Sequence, residues 1–147
     1  MNEPPTERRS VVVEREFPYP AEKIWRALTQ PHLIEEWLMK SEFKPVVGHR
    51  SNFARSPKPG VNIVVNCEVL VVEPNKTLSY TWSARDLDSV VTWTLTPTST
   101  GTHLRMEQSG FRPDQKQALA GATAAWRQVF GKLERILAQA DLTRIDQ

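Results

Sequence analysis

Every odd position from Val61 to Val71 is apolar: Val61, Ile63, Val65, Cys67, Val69 and Val71. The even positions between them include Asn62, Asn66 and Glu68. Successive side chains of a strand point to opposite faces, so this period of two predicts a strand with one dry face and one wet face. A lone strand cannot bury its dry face; it needs neighbours and a second layer. The rest of the chain supplies the neighbours. Val11, Val13 and Phe17 alternate with Glu14 and Glu16. Leu78, Tyr80 and Trp82 alternate with Thr77, Ser79, Thr81 and Ser83. Val91, Trp93 and Leu95 alternate with Thr92 and Thr94, and Leu104, Met106 and Gln108 with His103, Arg105 and Glu107. Turn-forming residues separate these runs at Pro74-Asn75, at Arg85-Asp86-Leu87-Asp88 and around Gly101. Links this short make the sheet antiparallel.

Three helices complete the pattern. Pro20 opens the first, where its missing N–H costs nothing, and Ile24, Trp25 and Leu28 form its apolar stripe. Thr29-Gln30-Pro31 interrupts it. A second short helix carries Leu33, Ile34, Trp37 and Leu38 on one side and Glu35 and Glu36 on the other. Residues 43–60 predict a short hairpin turning near Gly48, then a loop, because Ser56-Pro57-Lys58-Pro59-Gly60 is poor material for regular structure. The last segment is one long helix. Asp114 followed by Gln117 resembles a capping box, and Leu119, Ala122, Trp126, Val129, Leu133, Ile136 and Ala140 recur at helical spacing. This helix alone is long enough to cover the sheet's apolar face, so the sheet must curl around it. The expected organisation is one α+β domain over residues 10–140, with flexible tails at 1–9 and 141–147.

A length of 147 residues suits one domain that folds without metals or disulfides. Nineteen Lys and Arg against seventeen Asp and Glu leave a net charge of +2, with no basic face interleaved with aromatics, which argues against nucleic acid as a partner. No run approaches a membrane-spanning length and no secretory signal opens the chain, so a cytoplasmic protein without membrane insertion is expected. The lone Cys67 fits a reducing compartment and excludes an internal disulfide. His32, His49 and His103 show no metal-ligand spacing, so neither a metal nor a cofactor is called for. There is no Gly-x-Ser-x-Gly elbow and no phosphate loop. Glu35-Glu36 are adjacent on a helix and do not face each other, while Asp86 and Asp88 suit a turn. No catalytic residue is assigned.

What remains is the inward face. Tyr80, Trp82, Trp93, Met106 and Trp126 belong to the apolar sides of their elements. These residues can make either a packed core or a pocket. Two features favour the pocket: the small residues Ala118, Ala120, Gly121, Ala122, Ala124 and Ala125 opening the last helix, and the polar Arg15 and Gln108 on the inward parity. Buried polar groups need partners, from protein, water or ligand. For Arg15, a salt bridge or a water-reaching edge position is the simpler expectation, and an anchor for an acidic ligand the sharper one.

The chain resembles the family of homologues of the activator of heat-shock protein 90 ATPase, within the START or SRPBCC superfamily. The resemblance rests on Arg15-Glu16-Phe17, Pro20-Ala21-Glu22, Ile24-Trp25-Arg26-Ala27-Leu28-Thr29, His32-Leu33 and Trp37. It continues through Glu73-Pro74, Leu78-Ser79-Tyr80-Thr81-Trp82, Thr92-Trp93-Thr94-Leu95, Gly101-Thr102, Gln108-Ser109-Gly110-Phe111 and Ala125-Trp126. It implies a helix-grip fold whose curved antiparallel sheet wraps the C-terminal helix, with two short helices after the first strand. It also implies a cavity for a hydrophobic or amphipathic small molecule. On that basis the candidate ligand-contacting set is Arg15, Trp37, Phe53, Val65, Cys67, Tyr80, Trp82, Trp93, Met106, Gln108, Ala122 and Trp126. Some members of the superfamily are cyclases or other enzymes, so the resemblance leaves a cavity-based enzyme of cyclase or hydrolase type as the alternative reading. The family name points to a chaperone partner, although a chain of this length is expected to lack a separate chaperone-docking domain. A homodimer is left open. His49 after Gly48, Gln108 before Ser109-Gly110-Phe111, and Cys67 depart from the residues common in the family, and these departures bear on ligand identity more than on fold.

Overall fold

A computed structural model describes residues 8–139. The expected tails fall mostly outside that range: residues 1–7 and 141–147 lie beyond it, as does Ala140. Arg9, placed in the N-terminal tail by sequence, already pairs with Phe111.

The elements run β1 (Arg9–Phe17), α1 (Ala21–Thr29), α2 (Pro31–Trp37), β2 (Lys40–Ser41), β3 (Arg50–Lys58), β4 (Val61–Glu73), β5 (Thr77–Ala84), β6 (Leu87–Pro97), β7 (Thr102–Phe111) and α3 (Lys116–Gln139). The strands form a seven-stranded sheet ordered β1-β7-β6-β5-β4-β3-β2, with every neighbouring pair antiparallel. The chain therefore meanders from β2 to β7, and β1 returns to the far edge beside β7. The period of two holds through most of the sheet but breaks in β4, where a register shift between Val69 and Val71 leaves Val71, expected on the dry face, exposed and packs Val72 against the core instead. Val11, Val13 and Phe17, Val65, Cys67 and Val69, Tyr80, Val91 and Trp93, and Leu104 and Met106 are all buried on the side that receives α3.

Local chemistry explains the breaks. Pro20 is the N-cap of α1, and Pro31, a breaker by sequence, is in fact the first residue of α2, where a missing N–H is harmless. Gly101 is required by close approach: a Cβ there would lie 2.0 Å from the Phe17 carbonyl oxygen.

Two local expectations need correction. Residues 56–58 are strand, not loop. The register with β4 slips between Arg55 and Lys58, and β2 pairs only with Phe53 and Ala54, so past Ala54 no described strand adjoins that side of β3. A proline, which brings no N–H to a ladder, is tolerated at such an open edge. The cap of α3 also differs. Gln115 begins the helix, its carbonyl accepting from the Leu119 N–H at 3.0 Å. Its side-chain Oε1 accepts from the Arg112 N–H at 2.8 Å. Asp114 instead holds the Arg112 guanidinium at 3.1 Å.

The α3 stripe is confirmed at Trp126, Leu133 and Ile136 and joined by Phe130 and Leu137, all buried. The start of α3 differs from expectation. Ala118, Ala120, Gly121, Ala124 and Ala125 are exposed, and Ala122 is half-buried. With 3.6 residues per turn, Leu119, Ala122 and Trp126 are the residues of this stretch on the expected apolar stripe that turn toward the sheet.

Candidate functional site

The concave side of the sheet is filled by a layer of aromatic rings. Trp93 on β6 is at its centre, edge-on to Trp37 of α2 (centroids 5.6 Å, planes at 89°) and to Trp126 of α3 (5.8 Å, 78°), and stacked on Phe130 (5.8 Å). Phe53, Tyr80 and Phe43 continue the layer toward β3. Each ring buries a large apolar area, and edge-to-face pairs add about 0.5–1.5 kcal/mol beyond that area. Most of the space between sheet and helix is therefore packed.

The polar atoms of this layer are matched to one another. Trp37 Nε1 donates to the Ala27 carbonyl at 2.8 Å, and Trp93 Nε1 to the Tyr80 hydroxyl at 2.9 Å. Trp126 Nε1 donates to Gln108 Oε1 at 2.7 Å, Gln108 Nε2 to Ser89 Oγ at 3.0 Å, and Ser89 Oγ to the Trp82 carbonyl at 2.7 Å. That relay ties α3 to β7, β6 and β5. Burial raises the pKa of the Tyr80 phenol. Burial likewise pushes the Cys67 thiol up to about 12, which leaves it a neutral, weakly reactive side chain.

Beside the middle of α3, packing stops. A cavity of about 200 Å³ lies beneath its central turns, lined by Leu38, Met39, Arg55, Trp82, Leu87, Gln108, Ala122, Ala125, Trp126, Gln128, Val129 and Lys132. Leu38, Met39, Trp82, Leu87, Ala122 and Val129 are only half-buried, so the rim is apolar surface without a cover. Gln108 and Trp126, 1% and 4% exposed, make its floor. A shallower groove of about 600 Å³ adjoins it, sharing Leu38, Met39, Arg55 and Lys132 and continuing over Glu35, Glu36, Trp37, Lys40 and β3–β4 residues. Cavity and groove together reach from the indole of Trp126 to open solvent.

Of the candidate set, Trp82, Gln108, Ala122 and Trp126 come together on this cavity, and Trp37 lines the adjoining groove. Phe53, Val65, Tyr80, Trp93 and Met106 do not line it; they are nearly fully buried in the packed layer. Cys67 is buried as well, beside a separate hollow with Ser51 and Asn66. Arg15 does not line the cavity. Its Nη1 pairs with Glu134 Oε1 at 2.6 Å, a partly exposed bridge from β1 to α3. Sequence reasoning did not pick out Leu38, Met39, Arg55, Leu87, Val129 and Lys132. Four of these carried a legible signal: Leu38 and Val129 lie on the apolar stripes expected for their helices, Arg55 shares the inward parity of Phe53, and Lys132 lies three residues after Val129 and seven after Ala125 on one helix face.

Among the described residues no three His, Cys, Asp or Glu side chains are grouped to hold a metal ion, and no helix is long and apolar enough to cross a membrane. His103 contacts Glu14 at 2.8 Å on the outer face, and His49 Nε2 lies 3.1 Å from the Glu42 carbonyl.

A curved antiparallel sheet gripping one long helix, with two short helices after the first strand, defines the START-like helix-grip class of the SRPBCC superfamily. Residues 18–138 match the model of the family described as Activator of Hsp90 ATPase homolog 1-like protein, and the chain belongs to that family. Comparison with curated proteins finds no match. Among solved structures, protein MLL2253 from Mesorhizobium loti is 64% identical, with 90% of this chain and 99% of that one covered and a TM-score of 0.83. DynU16, a protein in the dynemicin biosynthetic locus, is 26% identical, with 88% and 47% covered and a TM-score of 0.76. CalU16 from Micromonospora echinospora, at 23% identity, 89% and 75% covered and a TM-score of 0.73, shows the same fold.

Proposed function

We propose that this protein binds an amphipathic small molecule in the cavity beneath the central turns of α3. The observation that carries the reading is the uncovered apolar rim of Leu38, Met39, Trp82, Leu87, Ala122 and Val129 over a floor of hydrogen-bonded polar groups. Concave apolar surface with a few placed polar atoms is the ordinary form of a small-molecule site. Trp82 and Trp126, with centroids 5.3 Å apart, offer ring faces and edges to a flat ligand. Gln108 uses one amide hydrogen on Ser89 and one lone pair on Trp126, so an amide hydrogen and a lone pair remain for a polar ligand atom. Size limits what enters. A cavity of about 150 Å³ accommodates benzene, so the space here suits one or two rings or a short chain, with the remainder of a larger ligand lying in the adjoining groove.

The test is titration with 2-naphthamide, a neutral two-ring probe, followed by tryptophan fluorescence and by shifts of the indole N–H resonances. Saturable binding that moves the Trp82 and Trp126 signals is expected, and Ala122→Phe, which fills the cavity from a half-buried position, abolishes it. Unchanged binding in that variant removes the reading.

A further inference from the structure

Resting on that reading, we infer that the preferred ligand is a carboxylate whose head is held at the cavity mouth by Arg55 and Lys132. Both side chains line the cavity and the groove beyond it, so they stand where the two meet. They come from opposite walls, Arg55 from β3 and Lys132 from α3. They are the charged residues of the cavity lining, which includes no Asp or Glu, so its formal charge is +2.

The placement of Arg55 is the telling one. It follows Phe53 on the inward parity of β3 and pairs in register with Ile63, so the strand aims it at the concave side, where its neighbours are apolar. The outward parity would have served a solvent-facing arginine equally well. The other inward-parity arginine of the sheet, Arg15, has Glu134 at 2.6 Å. Among the described residues neither Arg55 nor Lys132 has a carboxylate within 4.0 Å, although Glu35 and Glu36 border the outer groove. A guanidinium and an ammonium facing each other across an apolar opening match a planar anion attached to an apolar body. The fork of Arg55 can take a carboxylate through two parallel N–H bonds, and Lys132 adds a point charge.

The experiment compares 2-naphthoate with 2-naphthamide, which share a body and differ in head-group charge, on the full chain and on the Arg55→Gln, Lys132→Gln double variant. Both positions are exposed, so the variant folds; a thermal melt checks this. The wild type is expected to bind the acid about tenfold more tightly than the amide, in line with charge-assisted hydrogen bonding. Added salt is expected to erode that preference, because exposed charges are screened. The double variant is expected to lose the preference while still binding the amide. Equal affinities in the wild type, or a preference that survives in the double variant, overturn the head-group assignment and leave the cavity reading standing. Failure of both probes to bind at up to about 1 mM overturns both.

Discussion

Trp126 on α3 donates its indole N–H to Gln108 on β7 across 2.7 Å, and both side chains are nearly fully buried. This bond fixes the height of the helix above the sheet at the inner end of the cavity. It also explains why a glutamine is tolerated on an apolar face. Its amide accepts from Trp126 and donates to Ser89, so neither end is left without a partner.

Breaking that bond from either side leaves a buried polar group unpaired. Gln108→Leu is expected to cost about 1–3 kcal/mol, and Trp126→Phe a comparable amount. Combined, the two strand fewer groups, so the double variant is expected to lose less than the sum by about 1 kcal/mol or more. Urea unfolding of the four proteins measures this; strict additivity would show that the bond carries no coupling.

The two glycines Gly101 and Gly121 are predicted to respond oppositely to alanine. A Cβ at Gly101 meets the Phe17 carbonyl at 2.0 Å and Pro18 Cα at 2.8 Å, backbone atoms that cannot swing away, so Gly101→Ala is expected to cost more than about 2 kcal/mol. At Gly121 a Cβ meets nothing within 4 Å, and alanine is the better helix former, so stability is expected to rise by up to about 1 kcal/mol. Thermal melts of the two variants check both signs.

Cys67 is predicted to be silent to thiol reagents at pH 8 until the protein unfolds. Burial raises its pKa from 9.0 to about 12. The folded state therefore keeps the proton while the unfolded state loses it. The thiol's contribution is fully present below pH 9 and is lost as pH rises toward 12. The stability difference between wild type and Cys67→Ala, measured by urea midpoints, is expected to shrink over that interval. A constant difference would contradict it.

The Arg15–Glu134 bridge is predicted to be a minor strut. Both side chains are partly exposed, at 40% and 52%, so Glu134→Gln is expected to cost less than about 1 kcal/mol. Arg15→Gln is expected to leave 2-naphthoate affinity within about twofold of wild type, since neither Arg15 nor Glu134 lines the cavity. A larger loss in the same titration would bring Arg15 back into the site.

The architecture was legible in the chain because its causes are local. Alternation through Val61–Val69, Leu78–Trp82 and Leu104–Gln108 specifies strands and their inner face, and turn residues set antiparallel order; the bulge that turns Val71 away from the core is not visible in the period. The 3.6-residue stripe of α3 specifies the lid. Depth within the layer is not local. Tyr80, Trp82 and Trp93 share one pattern and one chemistry, yet Trp93 is sealed between Trp37 and Phe130 while Trp82 borders open space. That difference depends on where α3 crosses the sheet and on which helical turn is small, and period cannot express it. The same holds for Arg55 and Lys132, distant in sequence and placed at one mouth only when β3 and α3 meet. Sequence by itself determined which faces are apolar, because side-chain direction follows from backbone period. Tertiary structure alone decided where those faces fail to touch, because a gap belongs to two surfaces at once.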